Sequence, residues 1–148
     1  MALNAMENSE AMAFHARLKG TFHGILQWQQ LDALWERVKS GHWFFYQLGE
    51  AVPENALHGS ELAERVDALN ALLHNEHEYD YCGIVYADQV EIPTLIKVYD
   101  PNNLGSACSH STTPTPPRWI LSTAQPPLIE NHDPAPNSRK RWWQLFSR

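Results

Sequence analysis

Five side chains in this chain have the types and spacing to do chemistry: His74, His77, Cys82, Cys108 and His110. His74 and His77 are three residues apart, so on a helix they share a face. Cys108 and His110 are separated by one residue in a Gly-Ser-Ala-rich stretch. A thiolate with imidazoles suits zinc or another transition metal. Cys108 as nucleophile with His110 as base would be the alternative use of the same atoms. Against both stands the pattern itself. His-x2-His is not a structural-zinc spacing, no Cys-x2-Cys anchors it, and adjacent loop residues rarely face each other. Asp80 or Asp100 could add a carboxylate, but their spacing to the pair fixes nothing. In the plainer reading Cys82 is a small buried strand residue and the histidines form a solvated helix end.

Two further clusters have binding rather than catalytic character. Asn102–Ser106 is a small polar loop of the kind that forms an anion-binding nest, but it lacks a phosphate-binding lysine and a following helix. It reads as a turn. At the C-terminus, Arg139, Lys140 and Arg141 precede Trp142, Trp143, Leu145 and Phe146. Such a basic-aromatic segment can fold into a partner groove, touch an anionic membrane surface or stack on single-stranded nucleic acid. It is too short for stable membrane anchoring. Its competing use is to pack on its own body, because bare tryptophans cost solubility.

The elements that must position these groups are legible from periodicity. Leu31, Leu34, Trp35 and Val38 fall at i, i+3, i+4 and i+7, with Trp28 extending the stripe backwards. This predicts an amphipathic helix capped near Gly41. Trp43–Leu48 is short, aromatic and bounded by glycines, and reads as a buried strand. Ser60 is the expected cap of a second helix with its stripe at Leu62, Val66, Leu69 and Leu73, stopping near His74–His77. Residues 82–87 and 94–99 read as strands, with Pro93 opening the second; the six residues between them suit an antiparallel hairpin and leave a parallel arrangement open. Asp100-Pro101-Asn102-Asn103 is a turn. Arg118–Ser122 is expected as a last, edge strand. The aromatic excess of Trp28, Trp35, Trp43, Phe44, Phe45 and Tyr46 sits at helical and strand spacing, so it fills a core rather than lining a pocket.

Residues 1–20 show no sustained period and are expected to be flexible. Residues 21–122 form the expected folded unit. Seven of the ten prolines lie between Pro114 and Pro136. Residues 123–148 are therefore expected to be a disordered, Pro-rich linker ending in the basic-aromatic tail. The expected fold class is α+β: two amphipathic helices packed on one face of a small, mainly antiparallel sheet.

Charge narrows the partners. The chain carries a net charge of −6, with four basic residues and no acid among the last ten. The preceding 138 residues thus carry −10. An acidic body opposes nucleic-acid binding by the folded part. Two cysteines are too few for a disulfide framework. The N-terminus has no secretory pattern, and no apolar run spans a membrane. These features point to a reducing cytoplasm.

The blocks Phe22-His23-Gly24, Leu31-Asp32-Ala33-Leu34-Trp35, Asp80-Tyr81-Cys82-Gly83-Ile84-Val85-Tyr86 and Asp100-Pro101-Asn102-Asn103-Leu104-Gly105 carry a resemblance. Over Thr21–Ser122 the chain resembles a family of small conserved hypothetical proteins of proteobacteria. That family has no assigned activity and brings no catalytic residues. The resemblance implies a bacterial cytoplasmic protein.

The reading that joins these features is a non-enzymatic accessory or adaptor protein without a cofactor. It would bind a larger protein partner partly through Arg139, Lys140, Arg141, Trp142, Trp143, Leu145 and Phe146. The rival is a small metal- or thiol-dependent protein built on Cys82, Cys108 and the nearby histidines.

Overall fold

The computed structural model describes residues 2–102, 116–130 and 136–146, with residues 2–8 as backbone only. Among these, four helices surround a five-stranded sheet. The helices are α1 (Ala2–Leu18), α2 (Trp28–Lys39), α3 (Gly59–Glu76) and α4 (Asn137–Gln144). The strands are β1 (His23–Ile25), β2 (Phe44–Gln47), β3 (Val85–Ala87), β4 (Leu95–Val98) and β5 (Trp119–Ser122). All pairings are antiparallel, in the order β1-β3-β4-β5-β2. The chain is thus α+β with an antiparallel sheet, as expected.

Both expected stripes are buried. Leu31, Leu34, Trp35 and Val38 of α2 and Leu62, Val66, Leu69 and Leu73 of α3 face one core. The sheet contributes Phe45, Val85, Ala87, Ile96, Val98, Trp119 and Leu121 to it. Alternation sends the intervening side chains to the opposite face. There Tyr46, Leu48, Leu95 and Ile120 pack with Phe14 of α1. The second face is therefore covered by a helix that has almost no amphipathic period and is tied down chiefly by Phe14, which is 3% exposed.

Several local expectations are corrected. Helix α2 does not end in a left-handed glycine: Ser40 caps it in right-handed geometry, and its hydroxyl donates to the Arg37 carbonyl at 2.7 Å. The N-cap of α3 is His58, not Ser60. Strand β5 is not an edge; it pairs with β4 on one side and β2 on the other. The edges are β1 and β2. Gly49 closes β2 at φ +99, a conformation glycine adopts without strain.

The largest departure is in the tail. Pro136 opens α4, accepting the Arg139 amide at 2.9 Å. Eight residues are too few for a stable isolated helix in water. Its existence must rest on what it packs against, and Trp142 and Trp143 pack on the α2–α3 side of the sheet.

Candidate functional site

The site is the junction of α4 with α3 and the sheet. Three elements build it. The end of α3 supplies Glu76. The turn after β4 supplies Asp100, whose Oδ1 also accepts the Asn102 amide at 2.9 Å. Strands β2 and β5 supply Gln47 and Trp119, which are cross-strand partners.

Arg139 enters this frame and is 3% exposed. Its Nε and Nη2 donate to Asp100 Oδ2 and Oδ1, each at 2.8 Å. Its Nη1 and Nη2 donate to Glu76 Oε2 and Oε1 at 2.9 and 2.8 Å. A planar guanidinium thus makes two bidentate pairs, geometry a lysine could not supply. Asn102 donates its amide to Glu76 as well. Gln47 is fully buried and reads both partners: its Nε2 donates to the Arg139 carbonyl at 3.1 Å, and its Oε1 accepts from Trp119 Nε1 at 2.9 Å. Arg118 Nε lies 3.7 Å from Asp100 Oδ2.

Electrostatics follow from burial and pairing. Burial pushes the Asp100 carboxyl up, but the hydrogen bonds from Arg139 and Asn102 and the charges of Arg139 and Arg118 outweigh it. The net pKa lies below the ordinary carboxylate value. Burial likewise disfavours the charged Arg139, and Asp100 and Glu76 more than restore it. Asp100 and Arg139 therefore each favour the charged form of the other.

The aromatic half of α4 covers the adjacent surface. Trp142 meets Trp119 edge-on at 5.7 Å, Trp143 meets Phe45 at 5.9 Å, and Phe146 meets Trp142 edge-on at 5.1 Å. The guanidinium of Arg65 lies over Phe146, Trp143 and Phe45 at 4.5, 5.3 and 5.8 Å. These are cation–π distances. Lys140, Arg141 and Leu145 point away, with Leu145 67% exposed. Beside them opens a cleft of about 360 Å³ lined by Glu61, Glu64, Arg65, Leu145 and Phe146.

Of the expected partner-binding segment, then, Arg139 is spent inside the protein. Trp142, Trp143 and Phe146 are half-buried, and Lys140, Arg141 and Leu145 remain outward. Glu76, Asp100, Gln47 and Arg65 were not singled out as members of this site. Asp100 carried a local signal as the first residue of a turn. The others carried none, because their partners are remote in sequence.

The residues of the metal or thiol reading are placed differently. His77 is 5% exposed, and its Nε2 is 2.7 Å from the Cys82 carbonyl oxygen. That ring nitrogen is engaged with backbone. His74 is exposed and stacks on Trp28 at 4.1 Å. Cys82 is fully buried; burial pushes its thiol up, only partly offset by the Ile84 and Val85 amides. A buried, protonated thiol is a poor ligand and nucleophile. Among the described residues no group of three or more His, Cys, Asp or Glu side chains could hold a metal. Cys108 and His110 lie outside the described residues, as do Asn103–Ser106 of the expected anion loop.

Around His77 the aromatic rings form a surface cluster. Tyr79 and Tyr81 lie 5.5 Å apart and are more than half exposed. Trp28 Nε1 donates to the Tyr79 carbonyl at 3.0 Å. Among the described residues no helix is long and apolar enough to cross a membrane. No family model, curated protein or solved structure matches the chain.

Proposed function

We propose that this chain is a non-enzymatic accessory protein of the bacterial cytoplasm, of the kind suggested by its resemblance to small proteobacterial proteins, and that it binds a larger protein partner through the α4 surface. The observation that carries this reading is the way α4 is held. Arg139 fixes the helix from beneath, which leaves Lys140, Arg141 and Leu145 on the outside. A short helix pinned in one orientation loses little entropy when a partner docks. Two cations beside an exposed leucine suit an acidic surface with an apolar dimple, and that charge pairing would set association rate more than affinity.

The test uses the full chain. Lys140→Glu, Arg141→Glu and Leu145→Asp together should abolish capture of the partner from a bacterial lysate while leaving the melting temperature unchanged. Capture that survives all three changes would place the interface elsewhere and overturn the reading.

A further inference from the structure

The cleft between α3 and α4 holds an arginine whose bonding is incomplete. Glu61 and Arg65 are four residues apart on α3, the spacing and order at which a carboxylate and a cation ordinarily pair. They do not pair. Arg65 is drawn instead onto the rings of Phe146, Trp143 and Phe45. Its Nε is buried with no hydrogen-bond acceptor. The group is desolvated, and the charges of Glu61 and Glu64 only partly compensate. Among the described residues no carboxylate hydrogen-bonds the guanidinium, and an incoming oxygen on its remaining N–H groups would add a charge-assisted hydrogen bond that the rings do not give.

The walls restrict what that oxygen can belong to. Glu61 and Glu64 are exposed carboxylates on the cleft wall beside Arg65. Two carboxylates repel a bare anion such as phosphate. A bare cation would pair with the carboxylates but leave Arg65 without an acceptor. A ligand that carries both charges a few ångströms apart satisfies both. Leu145 and Phe146 form the remaining wall and are apolar. The volume of about 360 Å³ is at the small end of ligand sites, room for one small molecule and little more.

We propose that this cleft binds a free α-amino acid with an apolar side chain, its carboxylate on Arg65, its ammonium on Glu61 and Glu64, and its side chain against Leu145 and Phe146. The site shares Leu145 with the partner surface proposed above but uses neither Lys140 nor Arg141. It depends only on α4 being docked, since two of its lining residues come from the end of that helix. Occupancy would clamp α4 to α3.

The experiment is calorimetric titration of the full-length protein with leucine and with phenylalanine, alongside N-acetyl-leucine and leucinamide. N-acetyl-leucine keeps only the carboxylate, leucinamide only the ammonium. Binding by the two zwitterions, weakened at least about tenfold for each blocked analogue, is expected, because each block leaves a charged wall unpaired. Arg65→Gln should remove binding. Because that change also strips three aromatic contacts, Glu61→Gln with Glu64→Gln provides a variant that leaves the rings untouched and should weaken leucine at least about tenfold. No heat from either amino acid at about 10 mM, a concentration that would reveal even a weak site, overturns the proposal. So does equal binding of the blocked analogues, or undiminished binding by the doubly substituted chain.

Discussion

Arg139 Nε and Asp100 Oδ2 lie 2.8 Å apart with both side chains 3% exposed, across 39 residues of sequence. A buried pair of this kind is not a large net source of stability, since desolvation offsets much of the attraction. Its removal from one side is another matter. Arg139→Ala would leave Asp100 buried and Glu76 partly buried, both stripped of their principal cation. The expected loss is about 3–5 kcal/mol in urea unfolding, together with faster amide exchange throughout α4. A loss below about 1 kcal/mol would mean that α4 docks through its tryptophans alone.

The same contact makes stability depend on acid. The folded-state pKa of Asp100 lies below its ordinary value of 3.8, so the folded state holds the ionised form more tightly than the unfolded chain does. That stabilisation is fully present above the ordinary value and is lost as pH falls through the lower, folded one. Asp88 adds to the same limb. Burial pushes its carboxyl up, but the Thr94 hydroxyl and the Thr94, Leu95 and Gln89 amides outweigh that. Stability should therefore fall steeply below about pH 4. In Asp100→Asn the gap from wild type should narrow as pH is lowered from about 6 to about 3. A constant gap over that range would show that Asp100 is not held ionised.

On α2, Trp35 is 2% exposed, and its Nε1 donates to Asn70 Oδ1 of α3 at 3.1 Å. Trp35→Ala leaves a cavity between the two helices and strands the Asn70 acceptor. The expected cost is about 3–5 kcal/mol. Trp35→Phe keeps most of the volume and should recover more than half of that loss. Equal loss in the two variants would assign the effect to the hydrogen bond rather than to packing.

What the sequence disclosed about this fold depends on how local each cause is. The α2 and α3 stripes were legible because Leu31, Leu34, Trp35 and Val38, and Leu62, Val66, Leu69 and Leu73, repeat at the helical period within one element. The β3–β4 hairpin was legible because β-rich runs flank a short break at Pro93. Strand β1 was not, since His23-Gly24-Ile25 is too short to alternate and exists through pairing with β3. Helix α1 buries Phe14 against strands far away in the chain, with no period to announce it. Arg139 read as one of three solvated basic residues. Its carboxylates, Asp100 and Glu76, are 39 and 63 positions away, and nothing near Arg139 distinguishes it from Lys140 or Arg141. The basic-aromatic segment read as unstructured for the same reason: its helix, α4, is made by tertiary contact. The candidate site was thus half visible, its aromatic and basic residues recognised but their inward and outward faces unassigned.

Cys82 offers a probe of the core that leaves the tail alone. It is fully buried with its thiol pushed up by burial, so the reactive thiolate is scarce. In a Cys108→Ala chain, where Cys82 is the sole thiol, a disulfide reagent should react only at the rate of unfolding. Labelling within seconds in native buffer would contradict that burial.

The tail itself separates packing from charge. Trp142 and Trp143 are half-buried against Trp119 and Phe45, whereas Lys140 and Arg141 are exposed on the same helix. Trp142→Ala with Trp143→Ala removes two aromatic surfaces from the α4 junction and uncovers Trp119, Phe45 and the guanidinium of Arg65. Because neither tryptophan is fully enclosed, the expected loss is about 2–4 kcal/mol, below that for two core tryptophans. Lys140→Ala with Arg141→Ala should change stability by no more than about 0.5 kcal/mol, since neither makes an ion pair among the described residues. Removing residues 124–148 should destabilise at least as much as the double tryptophan change, because it also takes Arg139. If truncation left the melting temperature unchanged, α4 would contribute nothing to the folded body, and its eight residues would have no reason to be helical.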